Sequence, residues 1–310
     1  MASSRAIKNR IKSTKNIQQI TKAMEAVSAV KMRKSEGAAF KGRPFALYAL
    51  NILKKIEATV NGNFFASSPL FEQREVQKTL LVVIASDKGL AGSFNSNVLK
   101  FATNFVKNSK YPIEVLTVGK KAKEYFERNK ITINKSYEFM GDFVELNQVK
   151  PLAENIISLF LNKNYDKVDV IYTNFVSALK QEVVHRPLLP LNKEVVKTVI
   201  ENIIPETGKF SGLKKEMLED PSEYKFEPSI EVVANDLVPT LVEIEIFHSI
   251  LEANASEHAA RMVAMRSASD NAKEVIGSLT ISYNKARQAQ ITKELIEIVS
   301  GKEALAAQEG

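Results

Sequence analysis

The residues that could do bond chemistry in this chain are few, and their spacing limits them further. Cysteine is absent from all 310 residues. That removes a thiolate nucleophile, a disulfide framework and a cysteine metal site. The three histidines are His185, His248 and His258. The last two are ten residues apart, off one helical face, so they do not pair on a metal. Glu257-His258 lacks the second histidine of H-E-x-x-H, and no G-x-S-x-G is present. One acid–base pair sits on a glycine-containing loop: Asp87 and Lys88 in Ser86-Asp-Lys-Gly-Leu-Ala-Gly-Ser93. It reads as a structural turn more readily than as a catalytic pair. The loop is neither G-x-G-x-x-G nor a P-loop. Gly119-Lys120-Lys121 opens a helix after a strand, where an anion could sit. The earlier glycine of a P-loop is missing. No cofactor and no metal are expected.

The net charge of +7 raises polyanions as partners, but the excess is uneven. Residues 1–43 carry 11 Lys and Arg against 2 acidic residues; residues 230–310 carry 7 against 12. All ten prolines lie between Pro44 and Pro239. Proline-free ends around a punctuated middle indicate two kinds of structure. No apolar run reaches 18 residues, so no span is expected. The basic start has a transit-peptide composition but reads as a solvated helix face. Nucleic-acid binding by this basic helix is the alternative reading, with Phe40 its one aromatic before Pro44.

Both ends read as long helices. Ile7, Ile11 and Thr14, then Ile17, Ile20, Met24 and Val27, step by threes and fours. Ser3 or Ser4 can cap this helix. Gly37, Gly42 and Pro44 are expected to interrupt or kink it, and Asn61-Gly62-Asn63 to end its continuation from Phe45. The C-terminal pattern is longer. Leu241, Ile244, His248, Leu251, Ala255, His258, Met262, Met265, Ser269, Ala272, Ile276, Leu279, Tyr283, Ala286 and Gln290 hold a 3.5-residue repeat. That repeat makes a left-handed coiled coil. At ~1.5 Å per residue a helix from about Val238 to Val299 is roughly 90 Å long. The two ends have complementary charge and are expected to pair antiparallel. An ordinary helical bundle would share the periodicity.

The middle alternates strand and helix. Thr79–Ala85, Ile113–Val118 and Val168–Phe175 read as strands, with Val183–Leu191 and Glu231–Val238 as weaker ones. Helices follow at about Asn95–Lys107, Gly119–Asn129 and Leu152–Leu161. The expected fold is α/β: a long antiparallel coiled coil of the terminal helices plus a central, mostly parallel, doubly wound domain. The expected division is 1–60, 61–235 and 236–310, with a loop insertion near 200–229.

Four stretches carry a resemblance. IKNRIKSTKNIQQITKAMEAVSAVKMRK is similar to the N-terminal helix of the γ subunit of F-type ATP synthases. SDKGLAGSFNSN resembles that family's S-D-R-G-L-C-G-x-x-N loop. HSILEANASEHAARMVAMRSASDNA and YNKARQAQITKELIEIVSG resemble its C-terminal helix. The likeness is dense over 1–36, 80–100 and 240–301.

The resemblance implies a coiled coil around a Rossmann-like domain, and a mechanical, non-catalytic role. The chain would be the central-stalk rotor inside the α3β3 ring. Its domain would sit on the membrane c-ring with the ε subunit, coupling proton or sodium flow to ATP synthesis or hydrolysis on the β subunits. It implies a peripheral place on the cytoplasmic side of a bacterial plasma membrane. Rotor–stator contacts carried over residue by residue are Met24, Arg261, Arg287, Gln288, Thr292 and Glu294. Asp87, Lys88 and Ala91 fall on the loop near the β-subunit lever. Three positions depart from the family pattern: Lys88 replaces Arg, Ala91 replaces Cys, and Gln290 replaces a small residue. The absence of cysteine excludes a redox-regulatory dithiol.

Overall fold

The computed structural model describes residues 4–59, 68–191, 225–227 and 229–306. The chain order is α1 (Ser4–Thr59), β1 (Thr79–Ile84), α2 (Phe94–Asn108), β2 (Ile113–Val118), α3 (Lys120–Arg128), β3 (Ile133–Tyr137), α4 (Leu146–Leu161), β4 (Lys167–Phe175), β5 (Gln181–Leu189) and α5 (Ile230–Ala306). Among the described residues the sheet has five strands in the order β3-β2-β1-β4-β5. The β1–β2, β1–β4 and β2–β3 pairs are parallel, and β5 runs antiparallel to β4. This is the expected mostly parallel, doubly wound α/β domain flanked by two long helices.

The sheet is buried on both faces because its central strand is apolar at every position. All six residues of β1 are buried. Side chains alternate across a strand. Leu80, Val82 and Ile84 therefore join a core with Leu152 and Ile156 of α4, Val238 and Val242 of α5, and Ile56 of α1. Leu81 and Val83 join a second core with Val98 and Ala102 of α2 and Phe126 of α3.

Three expectations change. Residues 231–238 are helix, because α5 begins at Ile230. The β-branched pair Val232-Val233 suggests a strand, but the burial of Val238, Leu241 and Val242 has helical spacing. β3, with sequence INKSY, carries too little apolar pattern to be read as a strand, and it lies at the sheet edge. Helix α1 runs unbroken past Gly37, Gly42 and Pro44. The Asn61–Asn63 stop and Ser3 lie outside the described residues, as does the 200–229 insertion apart from 225–227 and 229.

By compactness the chain forms two units, residues 1–27 with 262–310 and residues 28–261. In the first, the ends of α1 and α5 pair antiparallel. Ser4 Oγ donates to Gln290 Oε1 at 2.9 Å, while Arg266 Nε donates to Glu25 Oε1 at 2.8 Å. Ser4 thus reaches the opposite helix, and the bulk of Gln290 is used in that bond. Along α5 the heptad seam is the least exposed line: Met265, Ser269 and Ala272 are buried, and Ile276, Leu279, Tyr283 and Ala286 half-buried.

The N-terminal stripe needs correction. After Ile7, Ile11 and Thr14 the covered line continues through Gln18 and Thr21, polar residues. Ile17, Ile20 and Val27 are 54%, 59% and 53% exposed. Ile17 and Ile20 each precede a seam residue by one position, about 100° around the helix. The inward seam keeps its repeat through Gln18 and Thr21 to Met24, and Ile17, Ile20 and Val27 form a separate outward face.

Candidate coupling site

The site lies in the second unit, where the loops after β1 and β3 meet α1 and α5. The loop after β1 is latched locally. Ser86 N and Oγ both donate to Asn95 Oδ1, at 3.1 and 2.9 Å. Asp87 Oδ1 then accepts two backbone N–H groups, from Lys120 at 2.9 Å and Phe139 at 3.1 Å. Lys120 is the first residue of α3. A carboxylate of the chain itself therefore occupies the anion position at that helix N-terminus. This accounts for Asp87 and for the Gly119-Lys120-Lys121 opening together: the pair is a structural turn.

Helix α5 covers the adjoining strand end. Ser256 Oγ donates to the carbonyl of Thr173 in β4 at 3.1 Å, in a buried position. The strand order reverses between β1 and β4, which is where open α/β sheets bind ligands. Here that crevice holds a helix of the same chain. A cavity of about 120 Å³ remains beside it, lined in part by Asp87, Lys88, Asp142, Asn254 and Glu257.

Arg261 closes the site from α5. Its Nη2 and Nε donate to the carbonyl of Gly89 at 3.0 and 3.3 Å, and Nη2 also donates to Glu257 Oε1 at 2.5 Å. Nη1 lies 3.2 Å from His258 Nδ1. A guanidinium only donates, so Nδ1 accepts and the imidazole proton sits on Nε2. That nitrogen faces Asp142 Oδ1 at 3.3 Å. Burial pushes the Glu257 carboxyl up, against the pull of Arg261. Burial likewise pushes His258 down to about 4; Asp142 opposes this, and Arg261, Lys31 and Lys88 add to it. Asp142 is pushed up by burial, but the Lys31 hydrogen bond and the charges of Lys31, His258 and Lys88 hold it below its ordinary value.

A pH dependence follows from His258. The imidazole must stay neutral in the fold but is free to charge once unfolded. Stability present above pH 6.5 is therefore lost as pH falls toward 4, in total about 3 kcal/mol from this group. His258→Asn is expected to flatten this acid limb in thermal unfolding followed from pH 7.5 to 4.5. An unchanged limb would contradict the assignment.

The carried-over residues separate into two groups. Asp87 is half-buried and internally bonded, Ala91 is 3% exposed, and Arg261 is 7% exposed. Of these loop and collar residues, Lys88 presents its side chain outward, 3.9 Å from Asp142. Leu90 beside it is 66% exposed with φ +62°. The others belong to the first unit. Met24 is half-buried, and Arg287, Gln288, Thr292 and Glu294 are exposed. Thr292 Oγ1 donates to the Gln288 carbonyl, and Gln290 Nε2 to Glu294 Oε1. Sequence reading missed Asp142, Lys31 and Asn254; the Lys31–Asp142 and Asn254–Gly141 bonds each span more than 100 residues. The one local signal was Gly141, at φ +86°, before Asp142. Among the described residues no group of three or more His, Cys, Asp or Glu could hold a metal. No described helix is long and apolar enough to cross a membrane.

Fold and site together define a protein whose α/β domain packs against two long helices, one of which covers the switch point of its sheet. Residues 3–305 match the family model described as ATP synthase. The ATP synthase gamma chain of Desulforamulus reducens is 42% identical over 305 residues, covering 98% of this chain and all of that one. That of Roseiflexus castenholzii is 40% identical, with 99% of each chain covered. Among solved structures, the central stalk and c-ring of the Tetrahymena thermophila mitochondrial ATP synthase matches with TM-score 0.60 and 26% identity, over 81% of this chain and 99% of that one. A Euglena gracilis mitochondrial ATP synthase chain shares the fold at TM-score 0.66 and 18% identity, over 99% and 96%. The chain belongs to the ATP synthase gamma chain family. None of these relatives supports nucleic-acid binding.

Proposed function

We propose that this chain is the central-stalk rotor of an F-type ATP synthase and has no catalytic site of its own. It turns inside a ring of three α and three β subunits, with its α/β domain on the c-ring beside ε. Proton or sodium flow drives the turn, and the complex sits at the cytoplasmic face of a bacterial plasma membrane. The observation that supports this reading is that α5 lies over the switch point of the sheet, bonded through Ser256 to Thr173, while Asp87 caps the helix that opens at Lys120. In this reading 1–60 and 236–310 form the shaft and 61–235 the foot.

A shaft shifts a catalytic equilibrium only by contacting the alternative β conformations unequally. The outward apolar residues Ile17, Ile20 and Val27, and Ile291, Leu295, Ile296 and Val299 near the end of α5, are surface for an enclosing ring to cover. Met24, Arg287, Gln288, Thr292 and Glu294 are assigned as contacts there. Lys88 meets the acidic lever, with Leu90 exposed beside it. Asp87, Ala91 and Arg261 act through the shape of that loop.

Co-expression with α and β subunits tests the reading. A purified complex that retains this chain and hydrolyses ATP is expected; a stable ring that never retains it would overturn the proposal. Within the retained complex, Gln288→Leu is expected to lower coupled turnover more than assembly. Unchanged turnover would remove Gln288 from the contact set.

A further inference from the structure

Helices held to a sheet by apolar packing alone can slip, because burial is non-directional. A shaft that carries torque needs directional bonds against rotation about the helix axis. Helix α5 has them in Ser256 and Arg261. For α1 the described polar contacts of residues 28–38 with the α/β domain run to one short loop. Lys31 Nζ meets Asp142 Oδ2 at 2.6 Å, Ser35 Oγ donates to the Asp142 carbonyl at 3.5 Å, and Lys34 Nζ lies 4.9 Å from the centre of the Phe143 ring.

The same loop reaches α5 and the loop after β1. Asn254 Nδ2 donates to the Gly141 carbonyl at 3.4 Å, and His258 Nε2 faces Asp142 Oδ1 at 3.3 Å. Asp87 holds the Phe139 N–H at 3.1 Å. Phe139 and Gly141 both have positive φ, +58° and +86°. A bulky residue keeps such a backbone only where its surroundings fix it. The Lys31–Asp142 pair is partly buried, at 28% and 25% side-chain exposure, so salt screens it less than a surface pair.

We propose that residues 139–143 are a torque clasp, with Asp142 the positioning residue that locks α1 to the α/β domain. Its Oδ2 bonds Lys31 of α1, while the same loop is held to α5 by the Asn254 bond to the Gly141 carbonyl, with His258 lying against Oδ1. Loss of Asp142 leaves the apolar packing in place and frees α1 to turn against the sheet. The clasp rests on the rotor reading, since a static protein would need no torsional stiffness.

The test uses the α3β3 complex containing the full chain, with the ring fixed to a surface and a bead attached to the α/β domain. Angular fluctuation of the bead in a stalled state reads torsional stiffness, a quantity that mere stability does not move. Asp142→Ala and Lys31→Met are each expected to broaden the distribution. The double variant is expected to broaden it no further than Asp142→Ala alone, because the Lys31 bond is already lost there. Lys31→Met alters a side chain on a helix surface and keeps the test open if Asp142→Ala does not fold. Distributions matching wild type in an assembled, rotating complex would overturn the clasp and leave the rotor reading intact. A wild-type chain that the ring never retains would overturn the rotor reading itself.

Discussion

Gly119→Ala is expected to unfold the α/β domain. Gly119 has φ +94°, a conformation that L side chains rarely adopt. A Cβ there would lie 2.1 Å from the Ala85 carbonyl oxygen and 2.8 Å from its carbon. Neither backbone can give way. Ala85 N donates to Val118 O at 2.9 Å, Gly119 N to Tyr137 O at 2.8 Å, and Lys121 N to Ser86 O at 3.0 Å. Those bonds join β1, β2, β3 and α3, so relief at one point breaks the others. The expected loss is at least about 4 kcal/mol, a large part of the ~5–15 kcal/mol that holds a domain. Denaturant unfolding of the full chain measures it. A loss below about 1 kcal/mol would mean the turn is softer than its bonds indicate.

Arg261→Ala is the second large effect. The substitution strips the Gly89 carbonyl of two donors and leaves the buried Glu257 carboxylate without its cation. Breaking a buried pair from one side costs about 3–5 kcal/mol. The cost should depend on pH in a set direction. Burial already raises Glu257, and loss of Arg261 removes the group that opposes this. The carboxyl then takes up a proton in the fold at pH values where the unfolded chain stays ionised. Destabilisation is therefore greater at pH 8 than near pH 5. Adding Glu257→Gln should recover part of the loss, because the two changes share one interaction. A pH-independent loss, with no recovery in the double variant, would contradict the pairing.

Gly119 and Asp87 mark how far the sequence could be read. Each was visible locally, as a helix-opening glycine and an acid on a glycine loop. Their connection was not, because the Lys120 N–H that Asp87 accepts lies 33 residues away. Strands with continuous apolar runs, such as TLLVVI, were readable from composition because both faces are buried. INKSY was not, because an edge strand has less to bury. The α5 seam was legible from Met262 to Ala286, where it is the least exposed line; from Leu241 to Arg261 the helix is buried nearly all round. The α1 seam was legible only to Thr14. Beyond that the inward line runs through Gln18 and Thr21 before Met24, and Ile17, Ile20 and Val27 face outward, so those three pointed about 100° away from the paired face. A rule that places apolar residues inside fails where another surface is meant to cover them. Asp142 had only Gly141 before it as a local signal, because its role exists only once α1, α5 and two loops converge.

The central claim is that this chain turns. The direct measurement fixes an α3β3 ring on a surface, attaches a bead to this chain's α/β domain, and supplies ATP. Unidirectional rotation of this chain in three steps per turn is expected, driven by ATP hydrolysis in the ring. A retained chain that stays still while the ring hydrolyses ATP would contradict it.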